Sequence, residues 1–415
     1  MKRNIWIWNH YATNTWFDQG GRHYNFAKFL ADAGYVPVIF CASTLHNSSR
    51  QVDTGGELWV EKTDSVCPYV FIKTRLYTGN GKQRILNMID FYRNVKKAGK
   101  EYAKTHGKPD VIYASSVHPL TLVAGIQMAK YFNVKCICEV RDLWPESIVV
   151  YSTRFTKSNP LIKLLYMGEK WIYKKADSLI FTMEGAYDYI VEQNWEQEIP
   201  RSKVHYINNG VDLDAFRYNR DHFQIKDPDL QNPDFFKVVY TGSIRRVNNL
   251  GLLLDAAKEV TDPKVRFLIW GDGDERAMLE QRVRDEGISN VVFKGRVEKN
   301  YIPDIVSRAD LNIAHNTPMR LFRYGISFNK LFEYLAAEKP VLCDFQCPYN
   351  PAIQCKAGIC VENPTSKSIA ASIEQMSRLS AEANERYCKA AKSTAEVYDF
   401  KNLTKKLVEV IEGLR

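Results

Sequence analysis

The chain has 415 residues, of which 45% are hydrophobic and 25% charged, with a formal net charge of +9. That is about two to three domains' worth of length and the composition of an ordinary globular protein with a large core. The longest apolar runs, such as VPVIFCA and FLIW, are strand-length, so no membrane-spanning helix is expected. The start, MKRNIWIWNHYATNTWF, lacks the apolar stretch and small-residue cleavage site of a signal peptide. Nine cysteines include no CxxC pair, which argues against a zinc site or disulfide framework and fits a reduced cytoplasm.

The first elements form a βαβ unit: a strand at Asn4–Trp8, a loop carrying Gly20 and Gly21, a helix over 22–33 and a strand at Val36–Cys41. Charge is uneven. Residues 1–210 hold 27 Lys and Arg against 19 Asp and Glu, whereas the remainder holds 30 against 29. Within 73–108 lie ten basic side chains (Lys73, Arg75, Lys82, Arg84, Arg93, Lys96, Lys97, Lys100, Lys104, Lys108) against Asp90 and Glu101. Ile85, Leu86, Met88, Ile89, Phe91, Tyr92 and Val95 are interleaved with them. Two readings fit: a solvated helix face, or a basic, apolar-interleaved element that lies on an anionic membrane surface. No nucleic-acid-binding motif accompanies the charge.

Further strands are expected at Val111–Ala114, Lys135–Glu139 and Ser178–Thr182. His118 follows the first of these, and Arg141 and Asp142 follow the second. His118 reads either as a core or capping histidine or as a site residue; Arg141 and Asp142 read as a structural pair or as site residues. After HYINNGVDLDAF, the polar stretch 217–234 reads as a linker between a domain at 1–216 and one at 235–397, with a terminal helix at 398–415. The α/β pattern then restarts, from KVVYTGS through LGLLLDAAKEV, VRFLIWGDG, ERAMLEQRVRDEG and NVVFKGRV to YIPDIVSRAD and LNIAHN. Two doubly wound domains of this kind bind ligands at the carboxyl ends of their strands.

Glycines and cations mark those ends in the second half: Gly242 with Arg245 and Arg246, Gly271, the GRV turn ending at Val297, and the helix SFNKLFEYLA. Glycine permits close backbone approach, and amides with arginines neutralise phosphate. Ser327 is the expected N-cap of that last helix. Lys330 in its first turn opposes the helix dipole, which makes sense if an anion sits there too. A surface lysine on a buried helix is the plainer alternative. Three DxD sequences, Asp212–Asp214, Asp227–Asp229 and Asp272–Asp274, lie on expected loops and carry little information about metal.

The early Gly-Gly loop, NNGVDLDAF, YTGS, GDGDER, KGRV and NKLFEYLAAEKPVL together resemble the family 4 retaining glycosyltransferases, over the whole chain. HYATNTWFDQGGRHYNFAKFLADAGY, EVRDLWPES and YGISFNKLFEYLA resemble more narrowly the bacterial O-antigen and capsule branch that includes N-acetylfucosamine-type transferases. The resemblance implies the GT-B fold, two Rossmann-like domains facing a cleft. It implies a UDP-sugar donor, with Gly20, Gly21, Gly242, Arg245, Arg246, Gly271, Val297, Ser327, Asn329 and Lys330 on the donor side and Glu333 on the ribose hydroxyls. His118 then takes the place of an active-site histidine near the donor sugar, and Arg141 and Asp142 lie on the acceptor side. No metal or cofactor is implied.

The expected acceptor is a polyprenyl-diphosphate-linked glycan, and the expected location is cytoplasmic, on the inner face of the cell membrane. The sequence departs from the family at Gly325, where a glutamate normally holds the donor sugar. A soluble acceptor or a non-catalytic sugar-nucleotide binder are the alternatives. A nicotinamide-dependent oxidoreductase is disfavoured, because G-x-G-x-x-G does not follow the first strand.

Overall fold

The computed structural model describes residues 3–46, 48–79, 81–151 and 155–414. The chain forms two compact units, residues 1–208 with 400–415, and residues 209–399. Each is built on its own sheet.

The first unit runs β1 (Asn4–Asn9), α1 (Thr13–Asp18), α2 (Arg22–Asp32), β2 (Val36–Ala42), β3 (Trp59–Lys62) and β4 (Tyr69–Ile72). It continues with α3 (Lys82–His106), β5 (Val111–Ser115), α4 (Pro119–Phe132), β6 (Lys135–Val140), α5 (Glu146–Tyr151), α6 (Pro160–Lys175), β7 (Ser178–Phe181), α7 (Ala186–Glu192) and β8 (Val204–Tyr206). Its sheet has the order β3-β4-β2-β1-β5-β6-β7-β8, parallel except for β3 against β4. Strands such as IWIW and PVIFCA are buried along their whole length, as a sheet covered on both faces requires. Helix α4 sits close on the sheet because Gly125 has no side chain; a Cβ there would stand 2.6 Å from the Ala114 methyl.

The second unit contains α8 (Leu213–His222), α9 (Pro228–Gln231), β9 (Phe236–Thr241), α10 (Leu250–Glu259), β10 (Val265–Trp270), α11 (Arg276–Asp285) and β11 (Val291–Gly295). After these come α12 (Ile302–Ser307), β12 (Leu311–Ala314), α13 (Asn329–Ala336), β13 (Val341–Cys343), α14 (Pro351–Gln354), β14 (Gly358–Cys360), α15 (Ser366–Ser377) and α16 (Ala381–Val397). Its six-stranded sheet is ordered β11-β10-β9-β12-β13-β14 and is parallel throughout.

Two expectations are corrected, and two short strands are added. The stretch 217–234 is not a linker. It carries α9 and most of α8, the Ile225 amide donates to Asp304 at 2.9 Å, and Lys294 Nζ donates to Asp227 at 2.7 Å and also to Asp229. Its polar residues are in part ion-paired and in part exposed, and the chain passes between units at 208/209 and 399/400. The end of the chain is not a separate appendage either. Helix α17 (Phe400–Glu412) returns to the first unit, where Phe400 meets Phe26 edge-on at 5.6 Å and Glu412 receives hydrogen bonds from Arg3 at 3.0 Å and Tyr35 at 2.6 Å. Its apolar stripe, including Leu403, Leu407 and Ile411, supplies the reason, because such a face must be covered. Finally, strands β3 and β4 were not anticipated, being only four residues each.

Candidate functional site

In the second unit the glycines are spaced by backbone contact. The Gly271 amide donates to the Gly295 carbonyl at 2.9 Å, and the Gly242 amide to the Trp270 carbonyl at 3.0 Å. These bonds tie the ends of β11, β10 and β9 together. A Cβ on Gly271 would lie 1.8 Å from the Gly242 oxygen, and Gly271 has φ +150°, so glycine is obligatory there. Gly242, at φ +146°, borders Lys330: a Cβ would come within 2.9 Å of its Nζ.

Helix α13 is clamped to β9 by its Tyr334 hydroxyl, which accepts from the Thr241 amide at 2.9 Å and pairs with Thr241 Oγ1 at 3.1 Å. The expected N-cap does not form. The helix begins at Asn329 with Phe328 as N-cap, and Ser327 Oγ is buried without a hydrogen-bond partner among the described residues. The Ser327 carbonyl instead accepts from Asn209 Nδ2 at 2.8 Å, so the second Asn of NNGVDLDAF holds the loop leading into α13. The first-turn amides of α13 therefore keep no side-chain cap.

Lys330 lies in that first turn. Its Nζ is sealed from solvent, has no hydrogen-bond acceptor among the described residues and sits 4.1 Å from the centre of the Tyr240 ring. Burial pulls its pKa down to about 8, against the opposing pull of Glu333 and Asp344. Glu333, one turn further on, has its carboxyl pKa raised by burial, opposed by Lys299 and Lys330. Asn329 is exposed, Val297 is half-buried in the loop after β11, and Arg245 and Arg246 are exposed without ion-pair partners among the described residues. Gly325 has φ +116°, which a glutamate at that position would adopt only under strain.

The three DxD sequences have structural occupations. Asp212 caps α8, Asp227 and Asp229 hold Lys294, and Asp272 lies 3.8 Å from Arg276.

In the first unit, Gly21 has φ +95° and is the N-cap of α2, whereas Gly20 has ordinary backbone and room for a Cβ. The next two side chains turn inward. Arg22 Nε donates to Glu139 at 2.6 Å and its two terminal nitrogens to the Asn208 and Ile207 carbonyls at 2.5 and 2.8 Å; His23 Nε2 lies 3.1 Å from the same carboxylate. Tyr113 and Ser115 complete this buried cluster. Burial opposes ionisation of Glu139, but Arg22, His23 and Arg141 hold its carboxyl well below the usual range. The cluster fixes the Gly-Gly loop against β6.

His118 is the N-cap residue of α4 and is buried; its Nε2 lies 2.6 Å from Nδ1 of His10, the residue after β1. The sequence reading passed over His10, although a histidine at the carboxyl end of the first strand was the available signal. His10 stacks on Phe91 at 4.6 Å and 5°. Burial pushes the His118 pKa down to about 3, helped by Arg84, and burial with His118 lowers His10. Both rings are neutral at pH 7 and share one proton. His118 Nδ1 and His10 Nε2 are both buried without a hydrogen-bond partner among the described residues. The Arg141 amide donates to Ser116 at 3.0 Å, and exposed Asp142 shares a cavity wall with His118.

Two family models match the chain in succession. One described as Glycosyltransferase Family 4 covers residues 22–215, and one described as Glycosyl transferases group 1 covers residues 236–378. The chain belongs to the glycosyltransferases of the group 1 and family 4 type. A curated relative of this glycosyltransferase is the putative teichuronic acid biosynthesis glycosyltransferase TuaH of Bacillus subtilis (strain 168), 26% identical over 216 residues. That match takes in 50% of this chain and 49% of the relative, so the chain spans about half the length of the curated relative it matches.

The fold of this glycosyltransferase is GT-B. Sucrose-phosphate synthase from Thermosynechococcus elongatus superposes with a TM-score of 0.73 at 18% identity, covering 100% of this chain and 99% of that one. HepE of Anabaena, in complex with UDP, superposes with a TM-score of 0.66 at 13% identity over 100% of both chains.

The basic run of the glycosyltransferase is only partly free surface. Arg75 pairs with Asp90 at 2.6 Å, Lys73 donates to the Gly56 carbonyl and Arg84 to the Tyr11 hydroxyl. Of the interleaved apolar residues of α3, Phe91 and Val95 are buried, Leu86, Met88, Ile89 and Tyr92 half-buried, and Ile85 exposed. Arg93, Lys96, Lys97 and Lys100 line a polar groove between α3 and α4. Among the described residues, no helix is long and apolar enough to cross a membrane.

Proposed function

We propose that this protein transfers a sugar from a UDP-sugar to a polyprenyl-diphosphate-linked glycan, with retention of configuration, in the synthesis of a bacterial surface polysaccharide of the O-antigen or capsule kind. The observation that carries the reading is Lys330: a sealed ammonium without an acceptor among the described residues, beside a glycine and at a helix start with no side-chain cap there. A buried unpaired cation costs free energy unless an anion completes it. A diphosphate would accept from Lys330 and from the α13 amides together.

Glu333 would then accept hydrogen bonds from the two ribose hydroxyls, which a carboxylate can do at once. Gly20, Gly21, Gly242 and Gly271 would let the donor approach backbone, and Arg245 or Arg246 would reach the phosphates from the exposed turn after β9. His118 Nδ1 would contact the donor sugar, with Arg141 and Asp142 toward the acceptor. Departure of UDP would be assisted by Lys330 and the amides, with a donor phosphate oxygen guiding the incoming hydroxyl. The reaction as proposed needs no metal, because fixed cations and amides stabilise the leaving diphosphate. The N-acetylated nature of the sugar rests on the resemblance of YGISFNKLFEYLA and EVRDLWPES to the N-acetylfucosamine-type branch.

The relative TuaH, with teichuronic acid biosynthesis in its name, supports a surface-polymer acceptor, and the UDP bound to HepE supports the nucleotide. The basic groove of α3 and α4 supports work at the cytoplasmic face of the membrane. The test is a panel of UDP- and GDP-sugars screened for thermal stabilisation and for transfer to isoprenyl-diphosphate-linked glycans in the presence of EDTA. Stabilisation by a UDP-sugar with chelator-resistant transfer is expected. Binding without turnover on any acceptor would leave a sugar-nucleotide-binding protein; stabilisation by GDP-sugars alone would overturn the donor assignment.

A further inference from the structure

A cavity of about 420 Å³ lies in the first unit, between the start of α4, the segment after β6, and α6. Its volume falls in the range of about 300–1,000 Å³ typical of small-molecule sites. Its walls are apolar side chains such as Leu122, Val123, Leu165 and Ile172. The one buried carboxyl on the wall, Glu169, accepts from the Tyr173 hydroxyl at 2.7 Å and the Tyr189 hydroxyl at 2.6 Å. Burial raises its pKa to about 8, so it is largely protonated at pH 7 and adds little charge.

The cavity reaches the surface through α6. Leu164 and Trp171 line it and are 62% and 40% exposed. With Leu161 and Met167, 54% and 68% exposed, they form one row along the helix. Four exposed or half-exposed lysines, Lys163, Lys170, Lys174 and Lys175, share that helix. Buried His118 and exposed Asp142 also line the cavity. On its other flank Gln127 belongs both to this cavity and to the groove of Arg93, Lys96, Lys97 and Lys100. An apolar chamber thus adjoins a cationic groove and also touches His118, proposed for the donor sugar, and Asp142, proposed for the acceptor.

From this juxtaposition we infer that the cavity holds the first isoprene units of the lipid-linked acceptor, with α6 seated in the bilayer surface. The inference rests on the lipid-diphosphate acceptor proposed above. A hydrocarbon chain fits the apolar walls, and the diphosphate that follows it fits the adjoining cations. A bulk phospholipid would give no reason for the chamber to include His118 and Asp142. The row of exposed apolar residues on α6 adds an apolar membrane contact beside the cations of α3, where Ile85 is the one exposed residue among the interleaved apolar side chains.

Gly168 offers the decisive substitution. It lines the cavity from the middle of α6, and a Cβ there meets nothing within 4 Å. Gly168→Trp fills the space; Gly168→Ala leaves it open and controls for folding. Binding of farnesyl diphosphate to the full chain is read by tryptophan fluorescence, since Trp144 and Trp171 line the cavity. The wild type and Gly168→Ala are expected to bind farnesyl diphosphate with a change in emission that inorganic diphosphate does not produce. Gly168→Trp, followed by calorimetry, is expected to bind it about tenfold more weakly or worse, as lost burial of a few methylene groups implies.

If the wild type binds farnesyl diphosphate and Gly168→Trp binds it equally well, the cavity assignment is wrong and the lipid-acceptor reading stands. If the wild type binds none yet glycosylates a soluble glycan, the lipid-acceptor reading fails and this inference with it. Equal competition by a straight-chain phosphocholine would also overturn it, showing a general lipid site.

Discussion

The Lys330 ammonium lies 4.1 Å from the centre of the Tyr240 ring and finds no hydrogen-bond acceptor among the described residues. The aromatic face offsets only part of the cost of sealing a cation from water. Lys330→Met should therefore lower affinity for UDP by about tenfold to a hundredfold, the span of one charge-assisted bond at about 1.5–3 kcal/mol. The pKa of about 8 adds a second readout. UDP affinity of the wild type should fall as pH rises through 8, while Lys330→Met shows no such step. Folding stability has the opposite slope, because the unfolded chain holds this proton up to 10.5 and the fold releases it near 8, so stability should rise between those values. Calorimetric titration at several pH values decides; a wild-type affinity flat through this range would remove the diphosphate from Lys330.

Glu333→Gln replaces a charged acceptor with a neutral one of the same shape. UDP affinity should drop by a further factor of about ten, corresponding to roughly 1.5 kcal/mol. Dideoxy-UDP lacking both ribose hydroxyls should bind wild type and variant with closely similar affinity. A full loss in the variant that persists with dideoxy-UDP would mean Glu333 acts through Lys299 or Lys330 instead.

The glycines separate into required and permissive ones. Gly271→Ala would place a methyl 1.8 Å from the Gly242 oxygen at φ +150° and should destabilise the second unit by about 2–4 kcal/mol. Gly20→Ala, whose Cβ would stand 3.6 Å from the nearest oxygen, should change stability by less than about 0.5 kcal/mol. Denaturant unfolding of the two variants makes the comparison, and similar midpoints would contradict it.

His118→Ala should cut turnover far more than UDP affinity, since its free Nδ1 is assigned to the sugar. His10→Phe keeps the stack on Phe91 but removes the partner at 2.6 Å, so His118 loses its fixed tautomer. A positioning role for His10 predicts reduced kcat with unchanged KM for the donor, partly restored by His10→Asn. The folded pKa of about 3 places no His118 step in the pH–rate profile near neutrality; acid stability should instead decline as pH falls from the ordinary value of 6.5 toward 3. Full turnover in folded His118→Ala would return the residue to a capping role.

Arg93, Lys96, Lys97 and Lys100 changed together to Glu should abolish salt-sensitive binding to anionic vesicles. Each cation near such a surface contributes about 1 kcal/mol, so reversing four is decisive. Transfer to a water-soluble acceptor analogue should survive. Equal sedimentation of wild type and variant with vesicles at low salt would leave the groove as a solvated face.

What the sequence determined by itself is the class of architecture and the placing of glycines and cations at the strand ends of the second unit. Buried strand runs such as IWIW and VVYT, alternating with helical periods, are local signals that follow from burying a parallel sheet on both faces. The strand-end glycines and the cation at the start of α13 were legible for the same reason, since each breaks a local rule at a place where a ligand would repay it. Only the tertiary structure decided which of those residues are free. Arg22 is consumed by Glu139, Asp227 and Asp229 by Lys294, and Ser327 caps nothing because Asn209 fixes its carbonyl. It also decided that His118 has a partner, that 217–234 is folded and that the C-terminal helix belongs with the first unit. Those facts depend on contacts between residues up to 400 or so positions apart, such as Arg3 with Glu412. Periodicity and propensity report what a segment prefers within a turn or two; which distant group completes its charge or covers its apolar face is set by packing alone.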